Sequence, residues 1–164
     1  MSDNTFGGAS RRLFFAIKRA LSNRELRAIG KFAIDIIAKR TRNGFGVKQA
    51  GGPQTRLKKL SSTYIDYRKA NRRKLDPTTT PGKSNLTFTG ILLRSLRVVN
   101  VNEAQQTLAI NANNVKRKGG VRNREIADFQ AEQGRIFLNL SRSELLKIGQ
   151  AYKKGLIENV NKDF

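Results

Sequence analysis

The side chains best placed to do chemistry in this sequence are cations in tight runs: Lys58-Lys59, then Arg68-Lys69 with Arg72-Arg73-Lys74, and Lys116-Arg117-Lys118. Lys and Arg grouped in this way hold anions. Contact with phosphate by such groups is long-ranged, salt-sensitive and blind to base sequence. Carboxylates, which general acid-base work requires in pairs, are few and scattered. Glu125 and Asp128 lie on one helix face beside Arg122 and Arg124, a spacing that suits surface ion pairs. Glu25 and Asp35 have no second pair to match them. His and Cys are absent, which removes the commonest general base, the commonest metal ligand and thiolate chemistry. Gly44-Phe-Gly46 and Gly51-Gly52-Pro53 are not followed by the Gly-Lys-Ser/Thr of a phosphate loop. Lys83-Ser84 follows Gly82 but lacks the upstream glycine and a preceding strand. These residues point away from an enzyme, a metal or a cofactor, and towards an anionic partner.

The totals agree. Thirty-three Lys and Arg against 12 Asp and Glu give a net charge of +21, whose self-repulsion a polyanion or acidic neighbouring subunits would offset. The charge is uneven: residues 1–83 hold 20 basic and 5 acidic side chains, the remainder 13 and 7. That asymmetry predicts a basic face. Aromatic interleaving of the kind that stacks bases is thin, since Tyr64 and Tyr67 fit the buried side of a helix as well as an exposed one. No zinc finger, helix-turn-helix or aromatic RNA-binding signature is present, so base readout is not expected. No apolar run approaches the roughly 18 residues of a membrane span, and no secretory signal opens the chain, which is expected to be intracellular where it is made.

The elements that must position these cations follow from periodicity. Residues 1–10 read as a flexible N-terminal arm and 11–164 as one domain, with Leu13, Phe14, Ile17 and Leu21 forming an early amphipathic segment. Ser22-x-x-Glu25 is a capping box that opens a helix over about residues 23–42. Leu26, Ile29, Ala33, Ile36 and Ile37 form its apolar stripe, and Arg24, Arg27, Lys31, Lys39 and Arg40 its wet side. Asn43-Gly44 ends it. Residues 43–56, rich in glycine, read as an extended loop. Residues 57–71 read as a helix capped by Ser61 or Ser62, with Leu60, Tyr64 and Tyr67 as apolar points. Residues 72–85 read as a projecting loop that prolines and a glycine keep irregular. Thr89 then caps a central helix carrying Ile91, Leu92, Ser95 and Leu96, and Gly90 lets the chain enter it closely. Alternation over residues 96–110 predicts a β-hairpin with one buried face. Residues 111–120 form a second basic loop. A helix over 122–133 turns Ile126, Ala127 and Phe129 inward and closes at Gly134. Residues 135–140 make a late strand, and Ser141-x-x-Glu144 caps a last helix, about 142–158, with Leu145, Leu146, Ile148, Tyr152, Leu156 and Ile157 as apolar points. The expected fold is α+β, a single domain with a small antiparallel sheet (hairpin plus late strand) packed by several helices and carrying long basic loops.

Thr89-Gly90-x-Leu92-x-x-Ser95 resembles the T-G-x-L-x-x-S core of the phage virion-morphogenesis family, the tail-completion, neck and head-tail joining proteins of tailed phages. Leu60-Ser-Ser-Thr-Tyr-Ile65 with Arg68 looks like the family's earlier segment. Ile126-Ala-Asp-Phe129 with Gly134 looks like its approach to the late strand. Arg135-Ile-Phe-Leu138 is similar to its Arg-Pro-Phe-Leu run, with Ile136 where the family usually has Pro; unlike Pro, Ile keeps an amide to donate. The matches run in family order over about residues 57–145.

The resemblance implies a structural virion protein, made in the host bacterial cytoplasm, that forms a ring at the head-tail junction around the DNA channel. Its partners would be further copies of itself, commonly six-fold, and the neighbouring connector, head-closure, tail-tube or tail-terminator proteins. Virion DNA is a further candidate, and no membrane is implied. Lys58, Lys59, Arg68, Lys69, Arg72, Arg73, Lys74, Lys116, Arg117 and Lys118 are the expected contacts to DNA or an acidic partner. Thr89, Gly90, Leu92, Ser95, Arg135, Phe137 and Leu138 carry the family motif. The alternative is a free-standing basic nucleic-acid-binding protein that makes non-specific contacts to phosphate backbones, which the charge suits equally well.

Overall fold

Helix α1 (Asn23–Arg42) begins where the capping box places it. Ser22 N donates to Glu25 Oε2 at 2.8 Å, and Ser22 Oγ accepts from Glu25 N at 3.4 Å. The computed structural model describes residues 21–117 and 119–160, the last of these, 156–160, by backbone alone. The expected arm, the amphipathic segment before Leu21, Lys118 and the side chains of Leu156 and Ile157 lie outside the described residues. Leu26, Ala33 and Ile37 of the predicted stripe are buried, with Ile29 and Ile36 half-buried. Arg40 is not on the wet side. It is 5% exposed, and its Nη1 meets Glu144 Oε2 at 2.6 Å.

Residues 43–56 are not a featureless loop. Strands β1 (Phe45–Val47) and β2 (Gln54–Arg56) pair antiparallel, Gly46 opposite Thr55. The glycine signal came from the turn, where Gly51 has φ +75°, while the flanks are free to pair. Helix α2 (Ser62–Ala70) follows, with Ser61 Oγ accepting from Tyr64 N at 3.3 Å, and a short 3₁₀ turn spans Arg72–Lys74.

The stretch 72–85 is stitched down rather than projecting. Asn85, fully buried, donates from Nδ2 to Arg42 O at 3.1 Å and accepts from Thr79 Oγ1 at 2.9 Å. Ser84 Oγ donates to Lys58 O at 2.6 Å. Prolines exclude regular structure here, but short polar side chains satisfy the backbone instead.

The central helix α3 (Ile91–Arg94) is a single turn. Thr89 does not cap it: Gly90 occupies the cap position at φ +66°, and no side chain bonds the first amides. Strands β3 (Leu96–Asn102) and β4 (Thr107–Ala112) form the predicted hairpin, with an irregularity between Val98 and Asn100. The hairpin packs on α1, where a Cβ at Gly30 would strike Val98.

In α4 (Asn123–Glu132), Ala127 is buried and Ile126 half-buried, but Phe129 is 53% exposed. Two residues past Ala127 is about 200° round the helix, which turns Phe129 outward. Residues 135–140 form no regular strand. The Phe137 carbonyl accepts from the Arg40 guanidinium; Val47 N donates to Ile136 O at 3.2 Å and Gly51 N to Leu140 O at 2.8 Å, but no backbone amide of the described residues reaches Leu138 O between them. The ladder is interrupted there. Helix α5 (Arg142–Val160) starts at Ser141, whose N and Oγ both bond Glu144 Oε2 at 2.8 Å; Leu145 and Leu146 are exposed rather than inward.

The described residues therefore form an α+β domain of five helices and two small antiparallel two-stranded sheets. Ile37, Leu92, Leu93, Leu96, Ala112 and Phe137 lie in one buried cluster, so α1, α3, the hairpin and the 135–140 segment share a core.

Candidate anion-binding interface

The cations fall into two settings. Lys69 and the turn residues Arg72, Arg73 and Lys74 are exposed, as are Lys58, Lys59 and Lys116. Lys69 Nζ shares its charge with Asp66 Oδ1 at 3.0 Å, and such a solvated pair holds it weakly. The structure turns the other cations inward.

Arg68 is the clearest case and a correction to its expected place on the surface. Its position on α2 faces the 79–83 stretch, so it is only 2% exposed. Nη1 donates to Lys83 O at 2.9 Å and Nη2 to Thr79 Oγ1 at 3.3 Å. Its guanidinium lies 6.0 Å from the ring centres of both Tyr64 and Phe88. Among the described residues no carboxylate pairs with it. Burial pushes its pKa below the ordinary value, with Tyr64 acting in the opposite sense. A guanidinium does not lose its proton in a protein, so the charge stays.

Arg68 lines a cavity of about 850 Å³ between α2 and α4. Thr89, Leu92 and Arg135 of the family-like motifs line it too, with Lys58, Lys59 and Arg117. Arg117 is half-buried. Its Nε donates to Asn123 Oδ1 at 2.6 Å, and burial lowers its pKa. Arg135 Nη2 reaches Lys59 O at 3.3 Å. The described lining holds five cations and no carboxylate. The rest of the described lining is uncharged: apolar at Leu86, Ile126 and Phe129, amide at Gln130 and Gln133, and hydroxyl at Ser61 and Thr87.

Several nitrogens here are left without a partner. Six buried polar side-chain atoms among the described residues lack a hydrogen bond: Arg68 Nε, Thr87 Oγ1, Arg117 Nη2 and Arg135 Nε belong to the cavity lining, and the other two to Arg40 and Thr41. Unpaired buried donors are costly, and four of these six atoms lie on side chains of this one lining.

The aromatic neighbours escape a reading by period alone. Tyr64 and Tyr67, expected as apolar points of α2, are 39% and 50% exposed. They stack on each other at 6.0 Å, and Phe88 packs against both. Their spacing follows the helix, but Arg68 takes the buried position. The signal available in the sequence was Tyr64 four residues before Arg68, a spacing that sets the two on one helix face.

The other motif residues are structural. Gly90 sits beneath the Asp76–Arg94 pair, Ser95 Oγ donates to Leu92 O at 2.7 Å, and Phe137 and Leu138 belong to the core. No family model, curated protein or solved structure matches the chain.

Proposed function

We propose that this protein is a structural component of a tailed-phage virion, a tail-completion or neck protein that forms a ring at the head-tail junction. One observation carries the reading. Motif residues far apart in sequence meet in one place, Leu92 with Phe137 in a shared core and Thr89, Leu92 and Arg135 on the wall of one cavity. The segments that suggested the resemblance thus lie side by side in the fold. In a closed ring of copies each at +21, exposed cations would face the DNA channel or acidic connector and tail proteins.

Electron microscopy of lysates from a phage lacking the gene tests this. Filled heads beside separate tails are the expected outcome, and normal infectious particles would overturn it. Native mass spectrometry of the purified chain should also give ring-sized multiples.

The exposed triplet Arg72, Arg73 and Lys74 on one turn favours a second reading, a free-standing binder of phosphate backbones. That protein would bind duplex DNA alone, with a steep salt dependence, and need no virion partner.

A further inference from the structure

We propose that the cavity between α2 and α4 is a socket for a peptide segment of another protein, one that carries a carboxylate beside a bulky apolar side chain. The socket stands on the geometry; only the supplier, a neighbouring virion protein, rests on the proposed role in assembly.

Charge comes first. Among the described residues five cations and no acid line the space, and three of the guanidiniums there, on Arg68, Arg117 and Arg135, each keep one buried nitrogen without a partner. Guanidinium forks match carboxylates in two-point geometry, so an entering carboxylate would supply the missing acceptors. Those nitrogens are out of contact with solvent as the side chains lie, so binding requires the arginines to rotate towards an incoming group.

Shape comes second. About 850 Å³ is the scale of a cavity that buries a ligand or several side chains. Leu86, Leu92, Ile126 and the half-exposed Phe129 give it an apolar wall, which has nothing to offer a bare phosphate but suits an aliphatic or aromatic side chain.

Nucleic acid fits less well. A duplex presents its phosphates on a broad convex surface and cannot deliver one to a side chain that is 2% exposed. A single strand would need free ring faces for its bases. Tyr64 is already stacked on Tyr67, and Arg68 lies over both Tyr64 and Phe88.

The test pans a display library of random peptides, about a dozen residues long, against the purified full chain at near-physiological salt. Enriched peptides should place Asp or Glu next to a large apolar residue. Their binding should fall at least about tenfold in the Arg117→Gln/Arg135→Gln variant, as loss of charge-assisted bonds requires. Phe129→Ser, at a position 53% exposed, should weaken it too. Arg72→Gln/Arg73→Gln removes the same charge outside the cavity and should leave affinity nearly unchanged. Circular dichroism checks that each variant is folded. No enrichment, enrichment of peptides without acids, or equal loss in both double variants would overturn the socket. Tighter binding of oligo-thymidylate, lost in the cavity variant, would overturn it in favour of a single strand. None of these results depends on whether phage particles assemble without the gene, so socket and neck role fail separately.

Discussion

The carboxylate of Asp76 meets the guanidinium of Arg94 at 2.8 Å directly over Gly90, so closely that a Cβ built on the glycine would land on the carboxylate. Asp76 N also donates to Phe88 O at 2.8 Å, and Arg94 Nη2 to Thr89 O at 2.6 Å. The Thr-Gly dipeptide is therefore the place where the long 76–89 excursion returns to the core. Gly90→Ala would combine a left-handed residue with a steric collision. We expect it to destabilise the protein by about 2 to 4 kcal/mol, read from denaturant midpoints at constant slope.

Asp76 also sets an acid limit. Its pKa is held below the ordinary carboxylate value by hydrogen bonds from the Thr78 hydroxyl and amide, which outweigh the opposing effect of burial, and by Arg94. A depressed folded pKa means a contribution fully present above the unfolded value of about 4 and lost as pH falls through the folded one. Asp76→Asn should lower stability at neutral pH and flatten the decline below about pH 4, measured by thermal melting across acid buffers.

The Arg40–Glu144 pair, 2.6 Å long and almost fully buried, should respond asymmetrically. Burial pushes the Arg40 pKa down and Glu144 pushes it back up, so the carboxylate offsets the cost of burying a charge that stays. Arg40→Met or Glu144→Leu alone should cost about 3 to 5 kcal/mol by stranding the other charge. The double replacement should recover most of that loss, less about 1 kcal/mol for the helix cap that Glu144 also serves. A double-mutant cycle checks both.

Arg68 should behave differently, although it is just as buried. With no carboxylate partner among the described residues, its removal strands no charge. Arg68→Met should stay within about 1 kcal/mol of the parent in chemical unfolding, the missing bonds to Lys83 and Thr79 being offset by relief of desolvation.

If the exposed turn touches DNA, the Arg72→Gln/Arg73→Gln/Lys74→Gln variant should reduce the slope of log affinity against log salt by about 3, one unit for each phosphate no longer neutralised. Filter binding on unrelated duplexes should give the same change for each. An unchanged slope would place DNA binding elsewhere or exclude it.

What was legible in the sequence was local. Ser22 with Glu25 and Ser141 with Glu144 announce helix starts because both partners of each bond lie within four residues. The alternating run over 96–110 announces a hairpin because its two strands are joined by a short polar turn and pair with each other. What was hidden depends on distant partners. Nothing near Arg40 signals that Glu144 will draw it inward, and nothing near Arg68 signals that the 79–83 backbone will close over it. The β1–β2 hairpin was masked because its strands are three residues each and glycine dominates the window. The candidate cavity was half legible: its cations were named from composition, but their convergence with Arg135 and Phe129 is a product of tertiary folding.

The Arg40–Glu144 bond spans 104 positions of chain. On the ribosome, α1 emerges long before its counter-ion is synthesised, so the helix cannot settle its buried cation until Glu144 has been made. A product truncated ahead of Glu144 would carry a desolvated, unmatched charge at its centre. In limited proteolysis such a fragment should be cut more readily than the protein that carries Glu144.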